Sequence, residues 1–341
     1  VHPAELGIWP PPGHSLLQLP DRISPYAEQL EQRILHWADE FQVLDGERAR
    51  TKLERTRLGE LIARSYPHIT EDRLDALAGW FLWAFVIDDC YDDVVGDYDA
   101  SAERVLSVLR GERIPDMTKL DALLAQVRGL LVEGRSRHWQ ARFEQHMGQF
   151  LTGFKYEADS RASGRTPNLL GYTQLRRATG GITPSLDLLE VATGHEVPVL
   201  IHETEQFHIL FNRAADVVVW VNDVMSLEKE LLSGETNNGV LVLRQEMELS
   251  DQEAIDAVYD LVEGQMEQFD RARTVLFGLL PGWGGLTVSD LAAIELFVEG
   301  LQTWMRGNLE WSRNCARYRV VDGVRLSTDS TLVNSTRQVP E

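Results

Sequence analysis

Cysteine is almost absent: Cys90 and Cys315 are the two in 341 residues. Two thiols so far apart form neither a disulfide framework nor a zinc-ligand spacing, so a reducing, cytoplasmic setting is the expectation. Positive charge is scarce too. Thirty-three Lys and Arg face 53 Asp and Glu, a net charge of −20, which argues against nucleic acid and against anionic membrane surfaces as partners. The longest apolar run, Ala76 to Ile87, is too short to span a bilayer. No secretion signal is legible where Pro10-Pro11-Pro12 interrupts the N-terminal stretch. Strand alternation, internal repeats, a P-loop, a Rossmann fingerprint and a Ser-His-Asp pattern are all missing. His202-Glu203 lacks the second histidine of a zinc-protease motif, because position 206 is Gln, and Glu205-x-x-His208 is one Glu-x-x-His where a di-iron bundle needs two. Asn334-Ser335-Thr336 is a formal glycosylation acceptor with no secretion to give it meaning.

What remains is helical. With 43% apolar residues the chain can bury a sizeable core. Residues 1–20 are rich in Pro and Gly and read as an irregular arm. From Pro25 onward Tyr26, Leu30, Ile34 and Trp37 fall at helical spacing. Further helical patterns cover about 48–65, 71–93, 101–110, 120–133, 136–158, 201–233, 250–279 and 289–318. The stretch 169–189 is helical in spacing but holds Gly180-Gly181 and Pro184, which predict a kink or break. Residues 320–341 are polar and unpatterned and read as a mobile tail. No linker divides the chain, so the expectation is one all-α domain over 21–319, with roughly ten to twelve helices.

Two stretches carry chemistry. In Phe85-Val86-Ile87-Asp88-Asp89-Cys90-Tyr91-Asp92-Asp93 an apolar segment ends in four carboxylates within six residues. Most such clusters are solvated helix ends. Here the acids continue a helix that is apolar almost all round, so burying the helix carries them to the edge of the core. Phe81, Phe85, Asp88, Asp89 and Asp92 share a face by helical spacing. Far downstream, Asn222, Ser226 and Glu230 stand at i, i+4 and i+8 after the apolar run Phe211–Trp220. An amide oxygen, a hydroxyl and a carboxylate on one helix face are hard oxygen donors that suit Mg²⁺. Either pattern arises by chance. Two buried helices that each end in hard donors are much rarer.

Asp88-Asp89-Cys90-Tyr91-Asp92 resembles the DDxxD motif of class I terpene synthases. Asn222-Asp223-x-x-Ser226-x-x-x-Glu230 resembles their second metal motif, NDxxSxxxE, and Arg317-Tyr318 is similar to the RY pair of the bacterial members. The resemblance runs from Pro25 to Tyr318. It implies the class I terpenoid synthase fold: an α-helical bundle around a deep apolar cavity with metal at its mouth. It implies Asp88, supported by Asp92, on one side of three Mg²⁺ ions, and Asn222, Ser226 and Glu230 on the other. Asp89, Asp93 and Asp223 match flanking acids and are weaker ligand candidates.

The family pattern also implies a diphosphate-sensing arginine, Arg176 with Arg177 competing, then Thr179 as linker and Gly180 as effector. Lys229, Arg317 and Tyr318 complete the implied clamp. Phe81, Phe85 and Trp311 are the expected cavity wall, since a ring face stabilises a passing cation without reacting with it. The implied activity is cyclisation of a linear prenyl diphosphate, farnesyl by default and geranylgeranyl as competitor. The alternatives are a chain-elongating prenyl diphosphate synthase, which would want a second aspartate-rich motif at Asn222–Glu230, and a non-catalytic binder of metal or isoprenoid. Antiparallel dimers occur in the family, so a homodimer is carried as an expectation.

Overall fold

The computed structural model describes residues 6–91, 97–163, 168–233, 237–318 and 326. Among these, fourteen α-helices and a few short 3₁₀ turns account for the regular structure, with no strand. The helices are α1 Ala27–Phe41, α2 Gly46–Thr56, α3 Leu58–Ser65, α4 Leu74–Tyr91, α5 Tyr98–Arg110, α6 Lys119–Val132, α7 Arg137–Ser163, α8 Leu169–Thr179, α9 Ile182–Thr193, α10 Val199–His202, α11 Glu205–Ser233, α12 Gly239–Glu246, α13 Asp251–Leu279 and α14 Val288–Asn314. No helix among the described residues is long and apolar enough to cross a membrane.

Burial follows the patterns. α4 is apolar on nearly every side, and Trp80, Phe81, Leu82 and Trp83 are all buried, as a central helix requires. It packs against α1 and α6, while α11 packs against α13 and α14 and α7 lies against α5, α8 and α9. Several starts are fixed by capping boxes in which a Ser or Thr side chain and an acid three residues on satisfy each other's backbone N–H. These are Thr118 with Asp121 at α6, Ser250 with Glu253 at α13 and Thr287 with Asp290 at α14.

The structure corrects several boundaries. The segment 48–65 is two helices, because Arg57 adopts a left-handed conformation (φ +55°) between α2 and α3. The segment 201–233 divides into α10 and α11. The short helix α12 went unread, since eight residues after a loop offer too little periodicity. The helix count therefore exceeds the ten to twelve expected. Within 169–189 the break falls at Gly180-Gly181 alone, with Gly181 at φ +62°. Pro184 lies in the first turn of α9, where the missing N–H has no intrahelical partner to lose.

The N-terminal arm is laid along the bundle. Ser15–Gln18 form a 3₁₀ turn, Leu16 is fully buried, His14 Nε2 lies 2.9 Å from the Tyr259 carbonyl, and Tyr259 donates to the Ile8 carbonyl at 2.7 Å. Leu326, in the stretch expected to be a mobile tail, is also fully buried. Its N–H donates to Asp89 (3.0 Å) and its carbonyl accepts from Asp45 N–H (3.0 Å).

Candidate active site

A cavity of about 480 Å³ opens between α4, α7, α8, α9, α11 and α14, within the range of small-molecule sites. Its deeper wall is aromatic. Phe81 lies 6.5 Å from Phe85 and stacks on Trp304 at 6.1 Å, and Phe85 meets Trp311 edge-on at 6.1 Å and 89°. Trp311 is held from outside the cavity: its indole N–H donates to the Thr56 and Arg57 carbonyls at 2.8 and 3.1 Å. The Thr56 carbonyl is available because α2 ends there, while the Arg57 carbonyl also accepts the Glu60 and Leu61 N–H groups that open α3.

The polar rim carries the motif residues. Asp88, Asn222, Ser226 and Glu230 all line this one cavity, together with Arg176, Thr179, Gly180, Lys229, Arg317 and Tyr318. Asp88 lies one turn above Phe85 on α4, and Arg317 donates to its Oδ2 at 2.8 Å while seated over the Phe85 ring at 4.7 Å. Asp92 and Asp93 lie outside the described residues. Asp89 departs from the shared-face expectation, since it is absent from the cavity wall. Its buried carboxylate takes Lys52 of α2 at 2.6 Å and the Leu326 N–H.

On α11, Asn222 is held from both sides. Its oxygen accepts from Arg176 Nη2 (3.0 Å), and its NH₂ donates to the Tyr318 hydroxyl (2.6 Å). Asp223 faces away from the cavity and is fully buried. It takes Arg176 Nε at 2.9 Å, Tyr172 OH at 2.6 Å and Gly239 N–H at 3.0 Å. Burial disfavours charge on Arg176, but Asp223 together with Tyr172, Glu157 and Glu230 outweighs it and holds the guanidinium above its ordinary value. Burial pushes the Tyr318 phenol up, so it stays protonated.

Arg176 and Arg177 part company here. Arg177 points out of the cavity wall into a bidentate pair with buried Asp216, at 2.8 and 2.9 Å. Arg176 faces the cavity. Gly180 sits against α11, where an added Cβ would lie 2.7 Å from Val219 Cγ1 and 3.0 Å from the Arg176 carbonyl. The Thr179 hydroxyl is buried without a hydrogen-bond partner among the described residues.

The donors fit a hard divalent cation. Asp88, Asn222, Ser226 and Glu230 offer only oxygen, and burial followed by repulsion from Asp223 pushes the Glu230 carboxyl above its ordinary value. A carboxylate in that environment gains from a nearby cation. Among the described residues no three Asp, Glu, His or Cys side chains cluster as a metal cage. Two of the four donors are an amide and a hydroxyl.

Several site residues escaped the sequence reading. Trp304 and Asn308 precede Trp311 by seven and three residues, so helical spacing from Trp311 would have found both. Phe150 and Ser185 also line the wall, and Glu157 lines the rim and accepts from Asn237 at 3.1 Å. They carry no motif.

Comparison with known proteins agrees with this geometry. Residues 79–268 match the family model for terpene synthase family 2, C-terminal metal binding. (+)-T-muurolol synthase of Roseiflexus castenholzii is 33% identical over 303 residues, covering 87% of this chain and 90% of that protein. (−)-δ-Cadinene synthase of Streptomyces clavuligerus is 30% identical over 309 residues, covering 87% and 92%. Among solved structures, an α-eudesmol synthase superposes with a TM-score of 0.78 at 27% identity, covering 86% of this chain and 96% of that one. A metal-binding family model over more than half the chain, relatives matched over nearly their full length, and an all-helical fold shared with them lead to one conclusion: this chain belongs to the bacterial class I terpene synthases.

Proposed function

We propose that this terpene cyclase takes (2E,6E)-farnesyl diphosphate and uses Mg²⁺, three ions as in the family pattern, to convert it to a cyclic fifteen-carbon product and diphosphate. The muurolol synthase it resembles is named for cyclising that substrate. The observation that carries the reading is the shared cavity. Oxygen donors from two distant helices and three cationic side chains rim a space whose wall is Phe81, Phe85, Trp304 and Trp311.

Asp88, with Asp92 outside the described residues, would hold Mg²⁺ from α4, and Asn222, Ser226 and Glu230 would hold it from α11. Bound there, Mg²⁺ supplies the positive charge that makes diphosphate a competent leaving group. The chain's own cations do the rest of the neutralising. Arg176, Lys229 and Arg317 rim the cavity, and a guanidinium matches phosphate oxygens two at a time. A diphosphate drawing on Arg176 and Arg317 competes with Asn222 and Asp88 for them, so binding rearranges contacts between α8, α11 and the segment after α14. The Tyr318 phenol, kept protonated by burial, remains a donor. Once the allylic C–O bond ionises, the aromatic faces stabilise the carbocation and exclude water. Gly180 ends α8 beside the cavity and lets the turn that carries Arg176 and Thr179 pack directly on Val219 of α11.

Incubation with geranyl, farnesyl and geranylgeranyl diphosphates plus Mg²⁺, followed by gas chromatography–mass spectrometry, tests the reading. Cyclic C15 product from farnesyl diphosphate is expected. Turnover of geranylgeranyl diphosphate alone would overturn the substrate, and longer prenyl diphosphates would overturn cyclisation.

A further inference from the structure

Asn238 belongs to none of the recognised motifs, yet its side chain is the most fully engaged amide beside the α11 donor face. It is fully buried. As N-cap of α12, its Oδ1 accepts the Val240 N–H at 2.8 Å. Its NH₂ makes two more bonds, to the Asp223 carbonyl at 2.7 Å and to Glu230 Oε2 at 2.7 Å. One planar group therefore ties the start of α12 to two points on α11 that bracket Ser226. The next residue closes the same clasp. Gly239 N–H donates to Asp223 Oδ2 at 3.0 Å, and an added Cβ there would sit 2.2 Å from Trp220 Cζ3. Only glycine lets this backbone lie so close to the Trp220 ring and the Asp223 carboxylate.

We propose that Asn238 is a positioning residue that aims Glu230 at the metal, with Gly239 locking the clasp from the side of Asp223. The assignment rests on the metal face proposed above. The chemistry favours a carboxamide at this point. Glu230 is a half-buried carboxylate already facing the charge of Asp223, and it needs its rotamer fixed before a cation arrives. A neutral NH₂ donor orients one oxygen without adding a competing charge. A lysine or arginine there would substitute for the cation, and a carboxylate would repel Glu230. Such partners behind a ligand typically set metal affinity by about 10- to 100-fold.

The test uses the full chain and needs no turnover. Melting temperature is followed as Mg²⁺ is titrated at fixed inorganic diphosphate, which gives a half-saturating Mg²⁺ concentration. Asn238→Ser and Asn238→Asp both keep an oxygen that caps α12; aspartate has no donor for Glu230, and the shorter serine offers one proton in place of the two that reach Asp223 and Glu230. Each should raise the half-saturating concentration about 10- to 100-fold, with a melting temperature without Mg²⁺ close to wild type for Asn238→Ser. A wild-type Mg²⁺ dependence in either variant overturns the proposal, whether or not kcat falls. Loss of the native far-UV spectrum in both variants also counts against it, because the contact would then serve folding. If wild-type protein itself shows no Mg²⁺-dependent shift, the metal face fails, and this assignment fails with it.

Discussion

Arg176 and Arg177 are neighbours on one helix turn, and each binds a fully buried aspartate of α11. Arg177 gives two parallel bonds to Asp216, which also meets Arg213 at 3.1 Å, on the side away from the cavity. Arg176 divides its bonds between Asp223 and Asn222 and lines the cavity. The same contrast separates whole regions. Behind the α8–α9 break, Asp187 takes Arg142 Nε at 2.9 Å and His146 Nδ1 at 2.6 Å, while Glu190 binds Arg142, His202 and the Val197 N–H. At the mouth, Arg317 on Asp88 and Arg176 on Asn222 occupy groups that a metal and a diphosphate would compete for. Arg142, His146, Arg177 and His202 line a separate pocket, but the acids they bind are fully buried and carry none of the motif donors, so these pairs serve the scaffold. The same chemistry beside the motif donors can change partners.

The contrast can be broken most severely at the donors. Asp88→Ala and Glu230→Ala should each lower kcat/KM by roughly 10²–10³-fold or more, with far-UV circular dichroism unchanged. Near-normal turnover in both would remove them from the metal face. The two arginines come next and should separate cleanly. Arg176→Gln should lower kcat/KM by about 10²-fold, with a melting temperature near wild type. Arg177→Gln should instead cost about 3 kcal/mol of stability, because Asp216 would stay buried with Arg213 alone, and kcat of the folded fraction should change little. Urea titration and steady-state kinetics on both variants check this. Equal losses in both properties would erase the distinction.

A smaller effect concerns acid. Burial pushes the Asp187 carboxyl up, but His146 and Arg142 outweigh it and hold it below its ordinary 3.8. A folded-state value below the unfolded one stabilises the protein above about pH 4, and that contribution fades as pH falls through the folded value. Asp187→Asn should therefore be less stable at neutral pH and lose less on going from pH 5 to pH 2, measured by urea unfolding. An unchanged acid slope would mean that Asp187 is not a sealed group. The smallest change in rate belongs to the wall. Trp304→Leu should alter kcat only a few-fold yet redistribute products, because it removes the ring stacked on Phe81. An unaltered product profile would place Trp304 outside the template.

Much of this was legible in the sequence. α4 announced its burial through an apolar run with no polar face, and Asp88 and Phe85 follow from it by helical spacing. Asn222, Ser226 and Glu230 share a face for the same reason. Periodicity also says that Asp88 and Asp89 differ by 100°, and the structure turns Asp89 to Lys52 and Leu326. What could not be read depends on contacts across the chain. Arg176 and Arg177 are one residue apart with identical chemistry, and only the packing of α8 on α11 decides which meets the cavity. Arg57 ends a helix in a left-handed conformation without a glycine to signal it. Asn238 looks like an ordinary cap until α12 is docked against Glu230.

The bond from the Trp311 indole to the two carbonyls at the α2–α3 junction has a consequence for how this enzyme could diversify. One plate of the mould around the hydrocarbon is bolted from the exterior, by backbone that never meets substrate. Substitutions around Arg57, remote from the reaction, would tilt that plate and redirect which ring closes. Selection for a new product need not act inside the hollow at all.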